Sequence, residues 1–105
     1  RVDSCVYEEG MITSDEPGIY IEGSHGIRTE NLIVCRKGEK NEYGQFMYFE
    51  TLTCAPIDLD AIDPDLLNAD EKHMLNEYHR FVYDTLSPLM DAEEREWLAK
   101  YTRAI

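Results

Sequence analysis

Apolar and polar residues alternate along the first part of the chain and then give way to a helical period. The segments Ile12–Ile21 and Gly26–Val34 are rich in β-branched and aromatic residues, and Glu22-Gly23-Ser24-His25 between them is turn-like, which predicts a β-hairpin. With the turn centred on Gly23, residues equidistant from it lie opposite one another: Ile19 faces Ile27, Gly18 faces Arg28, Glu16 faces Glu30 and Ser14 faces Leu32. One side of the ribbon then carries Glu16, Tyr20, Arg28 and Glu30, and the other carries Ile19, Ile21 and Ile27. Pro17 has no amide hydrogen to give to a ladder, so the first strand is expected to be an edge or to bulge there, re-aiming Glu16. Gly18, opposite Arg28, leaves room for the guanidinium to lie over the ribbon or for a substrate to approach the backbone.

Arg1 to Gly10 alternates poorly and reads as an extended lead-in. Arg36 to Gly44, RKGEKNEYG, is charged and punctuated by glycine, and is expected to be a loop joining the second and third strands. Gln45 to Ala55 has the aromatic and β-branched content of a third strand. Glu50 in its middle is costly to bury unpaired, so it is expected to meet Arg28, to support a neighbouring site, or to face solvent. After Pro56 the pattern is helical. Asp63-Pro64 marks a short turn through Leu67, and Asn68 with Glu71 forms a capping-box pattern. That box opens a helix with apolar positions Leu75, Tyr78, Val82, Leu86 and Leu89, which Pro88 ends. Asp91 with Glu94 repeats the signal for a last helix through Trp97, Leu98 and Tyr101. The fold class is therefore α+β: a small antiparallel sheet of about three strands within residues 1–56, followed by two helices within residues 57–105.

Composition narrows the partners. A chain of 105 residues is of single-domain length. Its 22 acidic and 10 basic residues give a formal net charge of −12, which disfavours binding to nucleic acid or to an anionic membrane surface and favours cationic ligands. No apolar run approaches the ~18 residues that span a bilayer. Cys5, Cys35 and Cys54 are odd in number and widely spaced, which speaks against a disulfide framework or a zinc knot and for a reducing compartment such as the cytoplasm. Cys35 and Cys54 are expected to act as small buried hydrophobes.

The chemistry sits on the ribbon. Two carboxylates opposite one another on an antiparallel pair repel, so Glu16 and Glu30 call for a cation. A divalent metal would answer that need, as would Arg28, and in so acidic a chain the pair could also be two residues of a solvated face. His25, at the turn, reads as a surface residue, and His73 and His79, six apart on the long helix, do not share the face that a metal pair four apart would share.

The stretches Asp15-Glu16-Pro17-Gly18-Ile19-Tyr20 and Gly26-Ile27-Arg28-Thr29-Glu30-Asn31, continued by Phe49-Glu50-Thr51-Leu52-Thr53 and the helical tail with Trp97-Leu98, resemble the C-terminal signature of the Xaa-Pro aminopeptidases. That family belongs to the pita-bread metallopeptidases, together with prolidase and creatinase. The resemblance implies an enzyme that releases the residue before proline from the N-terminus of a peptide. It implies Glu16 and Glu30 as two of five ligands to two divalent metal ions, usually manganese, with Glu30 bridging, and Arg28 as a catalytic-site residue beside them. The family's other ligands, two aspartates and a histidine, lie upstream of the matched motif, so the chain is expected to be the C-terminal portion of a longer enzyme, inactive alone and completed by the missing N-terminal part. The long members also imply a homodimer, with Trp97 and Tyr101 as anchors. The rivals are a prolidase or creatinase-like relative and a non-enzymatic acidic assembly module.

Overall fold

The computed structural model describes residues 3–105, so Arg1 and Val2 of the expected lead-in lie outside the described residues. The chain divides into two compact units, one ending at Thr53 and one running from Cys54 to Ile105.

The first unit is built from β1 (Ile12–Asp15), β2 (Gly18–Ile21), β3 (His25–Arg28), β4 (Asn31–Asn41) and β5 (Gly44–Thr51). They form a three-stranded antiparallel sheet in the order β1-β4-β5 and a two-stranded ribbon of β2 with β3. Each of the two strands expected on either side of Gly23 is therefore divided, and its halves belong to different sheets. The register is nevertheless the one anticipated. Gly18 pairs with Arg28 and Ile19 with Ile27 in the ribbon, and Ser14 pairs with Leu32 in the sheet.

Proline explains the interruption. Thr29 N–H donates to the Pro17 carbonyl at 3.2 Å, but the return bond of that pair needs an amide hydrogen that Pro17 lacks. The ladder loses one pair of strand residues on each side and resumes in the same register. Gly23 closes the ribbon at φ +70°, a conformation that side chains with a Cβ avoid, and Ser24 N–H reaches the Ile21 carbonyl at 3.1 Å.

The charged segment expected as a loop is instead strand. β4 runs on to Asn41, and Glu42-Tyr43 alone turn the chain into β5. The Asn41 side chain accepts the Tyr43 N–H at 2.9 Å, mimicking a backbone turn, and Gly44 takes φ +131°. One extra residue of β4 between Lys37 and Lys40 makes a bulge, and Gln45 Nε2 bridges it by donating to the carbonyls of Gly38 and Phe46, each at 2.9 Å. Charged residues are tolerated because their side chains stand in water: from Lys37 onward β4 is exposed, whereas its first half buries Val34 and Cys35. Tyr7 packs edge-on against Phe49 at 5.0 Å.

The second unit opens with two short 3-10 turns, Leu59–Ala61 and Pro64–Leu66, capped by the side chains of Asp58 and Asp63. Helix α1 (Ala69–Leu86) begins with the Asn68/Glu71 capping box, and α2 (Ala92–Tyr101) with the Asp91/Glu94 box, both reciprocal in the structure. Between them Ser87–Leu89 tightens to a 3-10 turn around Pro88, which turns Leu89 out to solvent instead of onto the expected apolar face. The buried residues of this unit are Leu59, His79, Val82 and Leu98, whereas Trp97 remains 53% exposed. Among the described residues no helix is long and apolar enough to cross a membrane.

Leu98 is fully buried, so Leu98→Ala should cost about 2–5 kcal/mol by transfer and cavity terms, against about 1 kcal/mol for Asn68→Ala at the helix cap. Urea denaturation of the two variants followed by helical circular dichroism checks the ranking; equal losses would contradict it.

Candidate functional site

The interrupted ladder defines the site. Hydrogen-bonded pairs alternate with non-hydrogen-bonded ones along an antiparallel ribbon, and the Thr29 to Pro17 bond assigns that pair to the first kind. The pairs on either side, Gly18 with Arg28 and, one step beyond the break, Glu16 with Glu30, are then of the second kind, in which side chains stand closest. The register continued on both sides of the gap thus sets the two carboxylates opposite one another.

Arg28 lies beside them. Its Nη2 is 3.5 Å from Glu30 Oε2, with both side chains about half exposed. The guanidinium is held above its ordinary range first by a hydrogen bond with Tyr20 and then by the charges of Tyr20, Glu30 and Glu16. The three residues singled out in the sequence are brought within electrostatic reach of one another. Their solvent access keeps the Arg28–Glu30 pair a weak contributor to stability, so its effect is on orientation.

Tyr20, which the sequence places on this face without a role, belongs to the group. It lies on the same face of the ribbon as Gly18 and Gly26, and its ring occupies the floor those two glycines leave open. A Cβ built on Gly18 would come within 2.8 Å of the Tyr20 hydroxyl, and one on Gly26 within 2.7 Å of the Tyr20 Cδ1. The space opposite Arg28 is therefore filled by an aromatic ring, not by guanidinium or substrate. The signal was present as two glycines flanking one tyrosine on a single face, at cross-strand and alternate positions.

The opposite face of the ribbon is apolar and open. Pro17, Ile19, Ile27 and Thr29 line a shallow groove with His25, and Ile19 and Ile27 are 68% and 58% exposed. His25 is an exposed surface residue whose Nδ1 lies 2.9 Å from Ser24 Oγ. Glu50 does not meet Arg28. It accepts a hydrogen bond from Arg36 Nε at 2.8 Å, because Arg36 and Glu50 stand diagonally across the β4–β5 ladder, where Arg28 has no access. Cys35 is fully buried, Cys54 half-buried and Cys5 exposed, and all three are free thiols.

Whether these side chains suit a metal is a question of ligand number. Glu16 and Glu30 offer hard carboxylate oxygens, but among the described residues there is no group of three or more histidine, cysteine, aspartate or glutamate side chains that could hold an ion. They fit as part of a ligand set and do not make one by themselves.

Comparison with known proteins adds a context. Residues 45–105 match the family described as the C-terminal region of peptidase_M24. Over 98% of its length the chain is 40% identical to an uncharacterized peptidase of Schizosaccharomyces pombe, of which it covers 18%. It is 39% identical over 98% of its length to a probable Xaa-Pro aminopeptidase P of Coprinopsis cinerea, covering 17% of that protein. With an aminopeptidase P1 of Lotus japonicus the identity is 40% over 93% of the chain and 16% of the relative. Among solved structures, the X-prolyl aminopeptidase of Caenorhabditis elegans, described as a cytosolic enzyme with a di-nuclear active site, superposes with a TM-score of 0.77 at 28% identity. That match covers 94% of this chain and 17% of the other. The chain thus spans less than a fifth of the length of these relatives.

Gly26→Ala should push the Tyr20 ring off the ribbon while the backbone pairing survives. Nuclear Overhauser contacts between the Tyr20 ring and the Gly18 α-protons are expected to vanish and those between Ile19 and Ile27 to persist; ring contacts unchanged in the variant would show that the glycine floor is not what seats the tyrosine.

Proposed function

The chain belongs to the peptidase M24 family, and on that premise we propose that its β2–β3 ribbon forms one wall of the dinuclear metal site of an Xaa-Pro aminopeptidase. Its fold is α+β, that of the C-terminal region of a pita-bread enzyme. The observation that carries the proposal is the register, which sets Glu16 opposite Glu30 with Arg28 between the ribbon's break and its turn.

In this reading Glu16 and Glu30 are two of the ligands, Glu30 the bridging one, and the remaining ligands come from the part of the relatives' length that this chain does not span. When bound, two divalent ions, manganese as the family resemblance implies, would acidify a water and polarise the carbonyl before proline. The chain's own contribution is geometric. The strand spacing holds both carboxylates ready, which spares the site the cost of collecting them. Arg28 orients the Glu30 carboxylate through their ion pair, with Tyr20 beside the guanidinium.

The same reading accounts for the apolar surface. Ile19, Ile27 and Leu32 are exposed on strands, as are Phe46, Tyr48 and Phe49, a pattern expected of surface that meets further polypeptide of the same enzyme. Trp97, half exposed and packed on Tyr101 at 4.8 Å, is the anchor of a homodimer contact in this proposal. The substrate is a peptide with proline in second position, and the setting is cytosolic, as it is for the Caenorhabditis elegans enzyme. The 105 residues alone, with two ligands, hydrolyse no such peptide.

Glu16→Ala and Glu30→Ala in the enzyme that contains this chain should each lower cleavage of an Xaa-Pro peptide by more than about a hundredfold and reduce bound manganese. Arg28→Lys should cost about 10–100-fold, the range of a residue that supports a ligand. Steady-state kinetics with metal analysis checks both. If the two glutamate variants keep full activity and metal, the ribbon is no part of the site and the acidic assembly module becomes the better account.

A further inference from the structure

His79 is the one ionisable side chain among the buried polar residues described, and neither the ribbon nor the proposed chemistry uses it. It projects from α1 and is fully buried, and its Nε2 accepts the N–H of Ile57 at 3.0 Å. An accepting Nε2 carries no proton, so the ring is neutral with its hydrogen on Nδ1, and that nitrogen has no partner. One turn of the neighbouring segment is fastened the same way: Tyr78 Oη donates to the Ala55 carbonyl at 3.0 Å. Pro56 between the two has no amide hydrogen, so the Ala55–Ile57 segment is held to α1 by side chains instead of by a ladder.

Protonation would disable this fastening. In the imidazolium both ring nitrogens are donors, so Nε2 can no longer accept, and the Ile57 N–H loses its partner. The new cation would be desolvated. The groups around it bring no anion to compensate: the Tyr78 ring on α1 lies 5.9 Å away, and Arg103 of the C-terminal segment is itself cationic and pairs with Asp60 at 3.7 Å. Burial first, and the Arg103 charge second, accordingly hold the imidazole below its ordinary range.

We propose that His79 is a proton-sensitive latch: neutral, it ties the Ala55–Ile57 segment to α1 through Ile57 N–H, and on protonation it releases that segment while α1 stays folded. The sign follows from linkage. The latched state has the lower proton affinity, so the latch is at full strength above the ordinary histidine value of about 6.5 and weakens as pH falls through it towards the lowered value.

The test is site-resolved hydrogen exchange on the full chain between about pH 7.5 and pH 5, corrected for intrinsic exchange. Protection at the Ile57 amide should fall by up to about tenfold per pH unit below about 6.5, while the Val82 amide within α1 keeps its protection. In His79→Gln the pH dependence at Ile57 should disappear. Loss of protection at Ile57 and Val82 together would make the event global acid unfolding and overturn the latch, as would an unchanged pH dependence in the variant. Should His79→Gln fail to fold, the nitrogen chemical shifts of His79 in the unmodified chain decide: protection at Ile57 must begin to fall above their titration midpoint and level off once the ring is protonated, and protection that stays flat through that titration overturns the proposal.

Discussion

A missing hydrogen on one backbone nitrogen shapes the first unit. Pro17 occupies a position where an antiparallel pair exchanges two hydrogen bonds, and it can take part in only one. Had the chain slipped by a residue to avoid the vacancy, every side chain of the ribbon would have changed face. It does not slip. Gly23 at the turn and the pairing of β1 with β4 hold the register from opposite ends, so the break becomes a short unladdered window with fixed walls. Glu16 and Glu30 stand in that window, freed from strand pairing yet kept opposite one another.

Electrostatics then completes what the register begins. In a chain of net charge −12, two carboxylates at a close-approach position would move apart unless something cationic lay near. Arg28 supplies part of that need from the same face and is itself oriented by Tyr20, whose ring lies across two glycines. Glycines admit the ring, and the ring and the Glu30 carboxylate both lie beside the guanidinium.

The second unit follows a different logic. Reciprocal capping boxes start both helices, and the buried set of Leu59, His79, Val82 and Leu98 holds them together with the turn-rich segment before α1. A histidine in so small a core is costly, and it is retained in a form that satisfies only one of its nitrogens. Its use as an acceptor for an irregular segment explains the choice of a neutral ring over a larger aliphatic side chain.

Much of this was legible in the residues themselves. The ribbon's register, the disturbance at Pro17, both capping boxes and the stop at Pro88 rest on neighbours a few positions apart, and such short-range rules act before any tertiary contact forms. The candidate carboxylates were legible for the same reason, since a hairpin's turn dictates which residues meet. What required the folded molecule were the pairings across longer separations. The polar run Arg36–Gly44 became strand because β5 lay ready to pair with it, and Glu50 found Arg36 because that pairing set them diagonally. The Tyr20 ring came to lie over the two glycines of neighbouring strands, and His79 found its hydrogen-bond partner in a segment 22 positions away in the chain. Local chemistry determined which residues could face one another; only the tertiary structure decided which distant partner each would meet, because that choice depends on surfaces that exist only once each unit has folded.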